Sequence, residues 1–244
     1  MRLLLKLECL KTVSQEHFFK GYFTAMHGWL APVAGKDEKY GNFCFGNLFP
    51  IKNEKVEQGE EYSIIISSSN PSTIEKIFFH LERDSILNIG ELQFKIKDFK
   101  IKHQKLKNNS IIESISPVNI TTNENGNIRF HRFANNGYLK KLEGHLLRKY
   151  AFLKNDKSDI DLFKNVEVDI NEKRPFSCFH INFFNKEKND IFKVCGSKLV
   201  LKFNGISEEQ LKIFQTLFDA GFGERTVYGA GFMVERFGKE EGIR

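Results

Sequence analysis

The sequence predicts an α+β chain in which the order strand, helix, strand, strand, helix, strand occurs twice. Three observations predict it. Apolar residues alternate or cluster over strand-length runs at 2–9, 62–67 and 92–101. Between such runs they recur at helical spacing, as in Phe19, Tyr22, Phe23, Met26 and Leu30. A polar break, Asn123-Glu124-Asn125-Gly126-Asn127, falls at mid-chain, and 244 residues suffice for two units of roughly 120.

Residues 2–9 read as the first strand. Ser14 can cap a helix carrying the stripe just named, with Gly28 and Pro32 expected to close it. A loop follows from Pro32 to Asn42, and Phe43, Phe45 and Leu48 mark an extended piece. Tyr62 to Ser67 is rich in β-formers. Asn70-Pro71-Ser72 opens a helix through about Arg83, since proline suits a first helical turn. Leu92, Phe94 and Ile96 alternate with polar residues, and the apolar parity shifts at Phe99 and Ile101, so a bulge is expected near Asp98. In the second half Tyr138, Leu139, Leu142, Leu146, Tyr150 and Leu153 form a helical stripe, and Val166, Val168 and Ile170 alternate. Phe179 to Phe184 and Val194 to Phe203 supply further strand. Ser207 and Gln210 make a capping box before Leu211, Phe214, Leu217 and Phe218, and residues 232–237 form a last strand. Each half is thus a βαββαβ unit of the ferredoxin-like (RRM-like) kind, with domains expected at 1–122 and 123–244.

Composition narrows the class. Hydrophobic residues make up 41%, enough for packed cores. No apolar run reaches the roughly 18–20 residues of a membrane span. The first residues carry charges within their apolar stretch and read as a strand, not a signal peptide, so a cytoplasmic location is expected. Cys9, Cys44, Cys178 and Cys195 lack C-x-x-C spacing and are expected as free, mostly buried thiols. The net charge of +6 hints at an anionic partner, and Lys95, Lys97, Lys100, Lys102, His103, Lys105 and Lys107 crowd one segment. Lys95 and Lys97 are candidate phosphate contacts, or the solvated face of a strand. Arg129-Phe130-His131-Arg132-Phe133 interleaves cations with aromatics that can stack on unpaired bases or fill a core. Arg129 and Arg132 are the candidate RNA contacts there.

The most informative stretch runs from Gly221 to Gly231. Gly221, Gly223, Gly229 and Gly231 permit close backbone approach, and successive amides can form an anion-binding nest. Arg225 adds a fork of donors, beside Thr226. The stretch is no P-loop, because G-K-[ST] is missing, and no dinucleotide fingerprint, because it follows a helix and leads into a strand. A plain Gly-rich turn is the alternative.

Ala220-Gly221-Phe222-Gly223, five residues, then Gly229-Ala230-Gly231-Phe232 resembles the carboxy-terminal glycine motif of the repeat-associated mysterious protein (RAMP) superfamily. More specifically it resembles the CRISPR-associated pre-crRNA-processing endoribonucleases. His145-Leu146-Leu147-Arg148-Lys149-Tyr150 and Ser116-Pro117-Val118 are similar to two further segments of that family. Relatives often carry a polar run such as Lys-Asn-Ser where this chain has Arg225-Thr226-Val227. The resemblance implies an endonuclease that binds CRISPR repeat RNA and needs no metal or other cofactor. The ribose 2′-OH attacks the adjacent phosphate, leaving 5′-OH and 2′,3′-cyclic phosphate ends. It also leaves open a non-catalytic RNA-binding role among CRISPR effector complex subunits, and a homodimer. No H-E-x-x-H or H-x-E with paired cysteines is present to hold a catalytic zinc.

Such cleavage needs a base for the 2′-OH, an acid for the 5′-oxygen and a cation for the phosphoryl charge. By the resemblance, these lie in the first helix and the loop after it. The matching region holds His17, Tyr22, His27, Lys36, Lys39 and Tyr40. His27, near the expected helix end, is the preferred base or acid. Tyr22 lies five residues earlier, about 140° away around an ideal helix, and also fits the apolar stripe. Lys36 and Lys39 are candidate charge stabilisers, Tyr40 competes with Tyr22, and His17 is a reserve. A small anionic ligand in the glycine-rich stretch is a third reading.

Overall fold

Leu3, Leu5, Leu7 and Cys9 alternate on one strand, and all four are buried. That strand, β1 (Arg2–Cys9), is the middle of the first sheet, so a period-two pattern becomes one wall of a core. The computed structural model describes residues 1–34, 41–50, 55–83, 85–125, 127–173, 175–185 and 188–236. Within these, the side chains of 15–20, 124, 127, 182–185 and 188–191 fall outside the description.

The first half continues with β2 (Val13–Ser14), α1 (Gln15–Ala34), β3 (Phe43–Phe45), β4 (Lys55–Val56), β5 (Glu61–Ser68), α2 (Pro71–Leu81), β6 (Ile86–Ile89) and β7 (Leu92–Lys102). Its sheet runs β3-β5-β1-β7-β6. Without the short edge strand β6, this is the ferredoxin-like order, with both crossover helices on one face. Asn70 caps α2 by accepting from the Ser72 amide at 3.1 Å. The register slips between Lys6 and Leu7, which pair with Asp98 and Ile96 and leave Lys97 as the extra residue. The bulge is therefore where the parity shift put it. Helix α1 does not stop at Gly28. Leu30 and Ala31 are buried, and their packing carries the helix past both the glycine and Pro32.

The second half holds β8 (Ile111–Ser114), β9 (Thr121–Glu124), β10 (Asn127–Phe130), α3 (Tyr138–Lys154), β11 (Val166–Ile170), β12 (Phe176–Asn185), β13 (Lys188–Ser197), β14 (Leu199–Phe203), α4 (Glu208–Ala220) and β15 (Met233–Glu235). Its sheet order, β11-β14-β8-β15, repeats the ferredoxin-like arrangement, while β9-β10 and β12-β13 are inserted hairpins. Strand β8 pairs with β14 and β15, so the second sheet takes residues ahead of the polar break at 123. That break is the turn of the β9-β10 hairpin. Ser207 caps α4, with Gln210 bonded back to its amide.

The halves interlock. Arg2 of β1 donates to the carbonyls of Phe218 and Met233 at 3.0 and 2.8 Å, and its guanidinium lies 3.6 Å from the Phe218 ring centroid. Hairpin β12-β13 from the second half packs along α1, with Phe179 stacked on Phe23 at 4.1 Å between centroids. An aromatic pair of this kind adds about 0.5–1.5 kcal/mol to its burial. Cys178 and Cys195 oppose each other across this hairpin, Cα–Cα 4.2 Å, and form a disulfide. Only Cys9 and Cys44 match the free, buried thiols expected of all four. Hairpin register, not sequence spacing, brings the other two together.

Candidate functional site

Phe23 and His27 are one helical turn apart and so share a face of α1. Phe23 meets the β12-β13 hairpin, and His27 meets the glycine-rich loop some 200 residues later. The His27 Nδ1 lies 3.2 Å from the Val227 carbonyl oxygen. Its ring centroid is 4.2 Å from that of Tyr228, the planes tilted by 40°. A carbonyl only accepts, so Nδ1 carries the proton and Nε2 keeps the lone pair of the neutral ring. Burial lowers the His27 pKa from its ordinary 6.5, against a smaller upward pull from the Val227 hydrogen bond.

Tyr22 is corrected. It belongs to the core, 2% exposed, with its hydroxyl donating to the Gly46 carbonyl at 3.1 Å and its pKa pushed far up by burial. Its neighbours Phe23 and Phe45 pack edge-on to it. The 140° between it and His27 is kept by a regular helix, so the phenol points into the first half while the imidazole points at the loop. Lys36, Lys39 and Tyr40 lie outside the described residues, as does the side chain of His17.

The glycine-rich loop is also corrected. Gly221, Gly223, Gly229 and Gly231 are all buried. Three of the loop's amides bond inward: Phe222 to the Gly231 carbonyl, Glu224 to that of Asn119, and Gly231 to that of Pro117, at 2.8–2.9 Å. These three, two of them beside the glycines, are closed to a phosphate. Gly223 and Gly231 have φ of +77° and +62°, and a Cβ on Gly231 would overlap the Phe222 carbonyl. Here absence of side chains lets two strands of loop and the 117–119 segment close on one another. Thr226 is 2% exposed and accepts from Lys149 Nζ at 2.8 Å, so it too faces inward.

Lys149 is fully buried on α3. Its ammonium also donates to the carbonyls of Ala220 and Gly221, both at 2.9 Å, closing the end of α4 and the start of the loop. Burial pushes its pKa down to about 7, while three acceptors hold the protonated form. His145, one turn earlier, bonds to Gly223 and lies 3.9 Å from Glu224, with burial and Lys149 lowering its pKa to about 4. Thr121 donates to the other oxygen of Glu224 at 2.6 Å. The His-Leu-Leu-Arg-Lys-Tyr segment is thus the loop's anchor, a role no spacing rule could supply.

Arg225 alone of the loop candidates is exposed. It holds φ 60°, ψ 26°, a left-handed conformation that costs a non-glycine residue about 1–2 kcal/mol. Its guanidinium lies 4.8 Å from the Phe192 ring centroid, on the hairpin that flanks α1. Stacking of this sort orders the cation while leaving edge donors for an anion. Arg132 does the same over Phe176 at 4.3 Å, and Arg129 is exposed on β10. His131 is buried against Thr122 and Lys141 and belongs to the hairpin's base. Lys95 and Lys97 are exposed on β7, Lys97 paired with Glu8 at 2.8 Å. The loop packs on β3, and β7 lies three strands away, about 14 Å across the sheet. These lysines are therefore separate from the His27 site. Among the described residues no three His, Cys, Asp or Glu side chains converge as metal ligands would.

Comparison with known proteins bears on this arrangement. The family of CRISPR associated protein Cas6, C-terminal, matches residues 100–235. The CRISPR-associated endoribonuclease Cas6 1 of Methanocaldococcus jannaschii is 30% identical over 190 residues, covering 75% of this chain and 68% of that protein. Cas6 2 of the same organism is 24% identical over 197 residues, covering 78% and 79%. Among solved structures, the product of a Cas6-related gene from Pyrococcus furiosus superposes with a TM-score of 0.72 at 20% identity, covering 99% of each chain. A RAMP protein described as binding different RNA substrates gives 0.70 at 18% identity, covering 97% of this chain and 100% of that one. The two superpositions show the shared double ferredoxin-like fold.

Proposed function

This chain belongs to the Cas6 family of CRISPR-associated proteins, and on that premise we propose that it binds CRISPR repeat RNA and cleaves it without a metal. The 2′-OH attacks the adjacent phosphate, and 5′-OH and 2′,3′-cyclic phosphate ends result. One observation carries the reading. The helix histidine and the glycine-rich loop, remote in sequence, meet with Nδ1 on the Val227 carbonyl, which leaves Nε2 to take the 2′-OH proton. Arg225, ordered on Phe192 beside this point, holds a phosphate by charge-assisted hydrogen bonds. In-line placement of the 2′-oxygen contributes as much as proton transfer. Lys36, Lys39 and Tyr40 remain the candidates for charge stabilisation and for protonating the 5′-oxygen.

The test is incubation of the protein with repeat RNA in EDTA, followed by mapping of the product ends. Cleavage to cyclic phosphate ends is expected. Cleavage that needs an added divalent ion would overturn metal independence. A second reading, a subunit that holds RNA and cuts nothing, is favoured by the burial of Tyr22, which leaves His27 as the one described side chain of the helix-and-loop candidates placed to act. Binding without cleavage in the same assay would establish it.

Arg225→Gly separates grip from chemistry, because glycine takes the left-handed conformation without penalty. RNA affinity should fall, and the slope of log affinity against log salt should lose about 1. A drop in single-turnover rate at saturating protein, with affinity unchanged, would place the guanidinium on the reacting phosphate instead.

A further inference from the structure

Tyr228 enters none of the roles above, yet it is the side chain packed on the His27 ring, at 4.2 Å between centroids. It is half-buried, and it sits in the 3₁₀ turn Thr226–Tyr228 whose middle residue supplies the Val227 carbonyl. That turn is held from three sides. The Tyr228 amide donates to the Arg225 carbonyl at 3.0 Å, and the Gly229 amide to that of Thr226 at 2.8 Å. Lys149 holds the Thr226 hydroxyl from below at 2.8 Å.

We propose that Tyr228 is a positioning residue for His27. Its ring and the Val227 carbonyl, one residue apart in a rigid turn, fix the plane and the tautomer of the imidazole. An imidazole on a helix surface rotates about its last torsion and exchanges its proton between two nitrogens. Which nitrogen is protonated is set by the hydrogen bond the other makes. The turn removes both freedoms: the carbonyl selects Nδ1–H, and the phenol ring blocks rotation away from it. What remains is one lone pair, on Nε2, in one direction. Preorganisation of this kind is gained before RNA binds. The ring, not the hydroxyl, carries the effect. Burial raises the Tyr228 pKa, against a smaller downward pull from the Arg225 charge.

The inference rests on the reading of His27 as the base, and the test keeps the two apart. Tyr228→Phe and Tyr228→Leu are compared with the unaltered protein in three measurements: single-turnover cleavage of repeat RNA, RNA affinity, and the nitrogen NMR shifts of the His27 imidazole without RNA. The unaltered protein should show the Nδ1–H tautomer; dominance of Nε2–H would overturn the proposal without any variant. Tyr228→Phe should keep cleavage within about threefold and keep the tautomer, since the ring is retained. Tyr228→Leu should lose about tenfold or more in rate, keep RNA affinity within a few-fold, and show mixed tautomers. Equal losses in Phe and Leu would assign the effect to the hydroxyl and overturn the positioning role. An unchanged rate and tautomer in Leu would overturn it too. Full cleavage by a His27 variant would sink the base assignment alone, because the imidazole spectra still report whether the turn clamps the ring.

Discussion

His27→Ala is expected to slow cleavage by about 10²-fold or more at saturating protein, with RNA affinity within a few-fold of normal. The separation of the two effects follows from the geometry. The imidazole is half-buried between α1 and the loop and offers one nitrogen, whereas the cations proposed to contact RNA, Arg225, Arg132 and Arg129, are separate, exposed side chains. The same residue sets a pH dependence. A base works when neutral, and burial lowers the His27 pKa below its usual 6.5. The rate should therefore stay high as pH falls through 6.5 and decline only below that, as Nε2 becomes protonated. The sign for stability agrees. Because the folded pKa is the lower one, the unfolded chain takes up the proton first, and stability is lost as pH falls from about 6.5 through the folded value. An acid limb at or above 6.5, or a limb that survives in His27→Ala, would point to another group as the base.

Gly231→Ala is expected to destabilise the protein by about 4 kcal/mol or more, enough to leave most of it insoluble or molten. Two costs act together. The backbone holds φ +62°, and the new methyl would overlap the Phe222 carbonyl. Backbone cannot swing aside as a side chain can. The Phe222 amide donates to the Gly231 carbonyl at 2.9 Å, and the Gly231 amide to that of Pro117 at 2.8 Å, so a shift breaks both. Gly21→Ala is the matched control. Nothing lies within 4 Å of a Cβ there, its φ is helical, and the change should stabilise α1 by about 0.4–1 kcal/mol. Thermal melts of the two variants check this directly. If Gly231→Ala melts normally but fails to bind RNA, Gly231 faces a ligand rather than the Phe222 backbone.

The periodicities of the chain were good guides wherever a pattern had a single partner surface. The Asn70-Pro71-Ser72 start of α2 and the Ser207–Gln210 box correspond to local hydrogen bonds, the alternation in residues 2–9 and the parity slip near Asp98 to one strand pairing with its sheet neighbours, and all are present. Strand β8 escaped because it is only four residues long, and its apolar alternation is too brief to stand out from the linker before it. The glycine motif was legible as a landmark and misleading as a mechanism. Four glycines look alike whether a phosphate or another backbone approaches them. His27 could be chosen by chemistry, but nothing in its surroundings along the chain pointed to Val227 or Tyr228, 200 residues on.

By itself the sequence determined the main element order of the first half, the double ferredoxin-like class, and the short set of side chains able to move a proton near neutral pH. Those properties follow from spacing and side-chain chemistry, which a linear string carries in full; the family followed from the resemblance of its glycine motif. Only the tertiary structure decided that Tyr22 serves the core, that the amides of Phe222, Glu224 and Gly231 turn inward, that Lys149 anchors the loop, and that Tyr228 stands over the imidazole. Each of these depends on how one half packs against the other, and burial is a property of the assembled surface rather than of any residue alone.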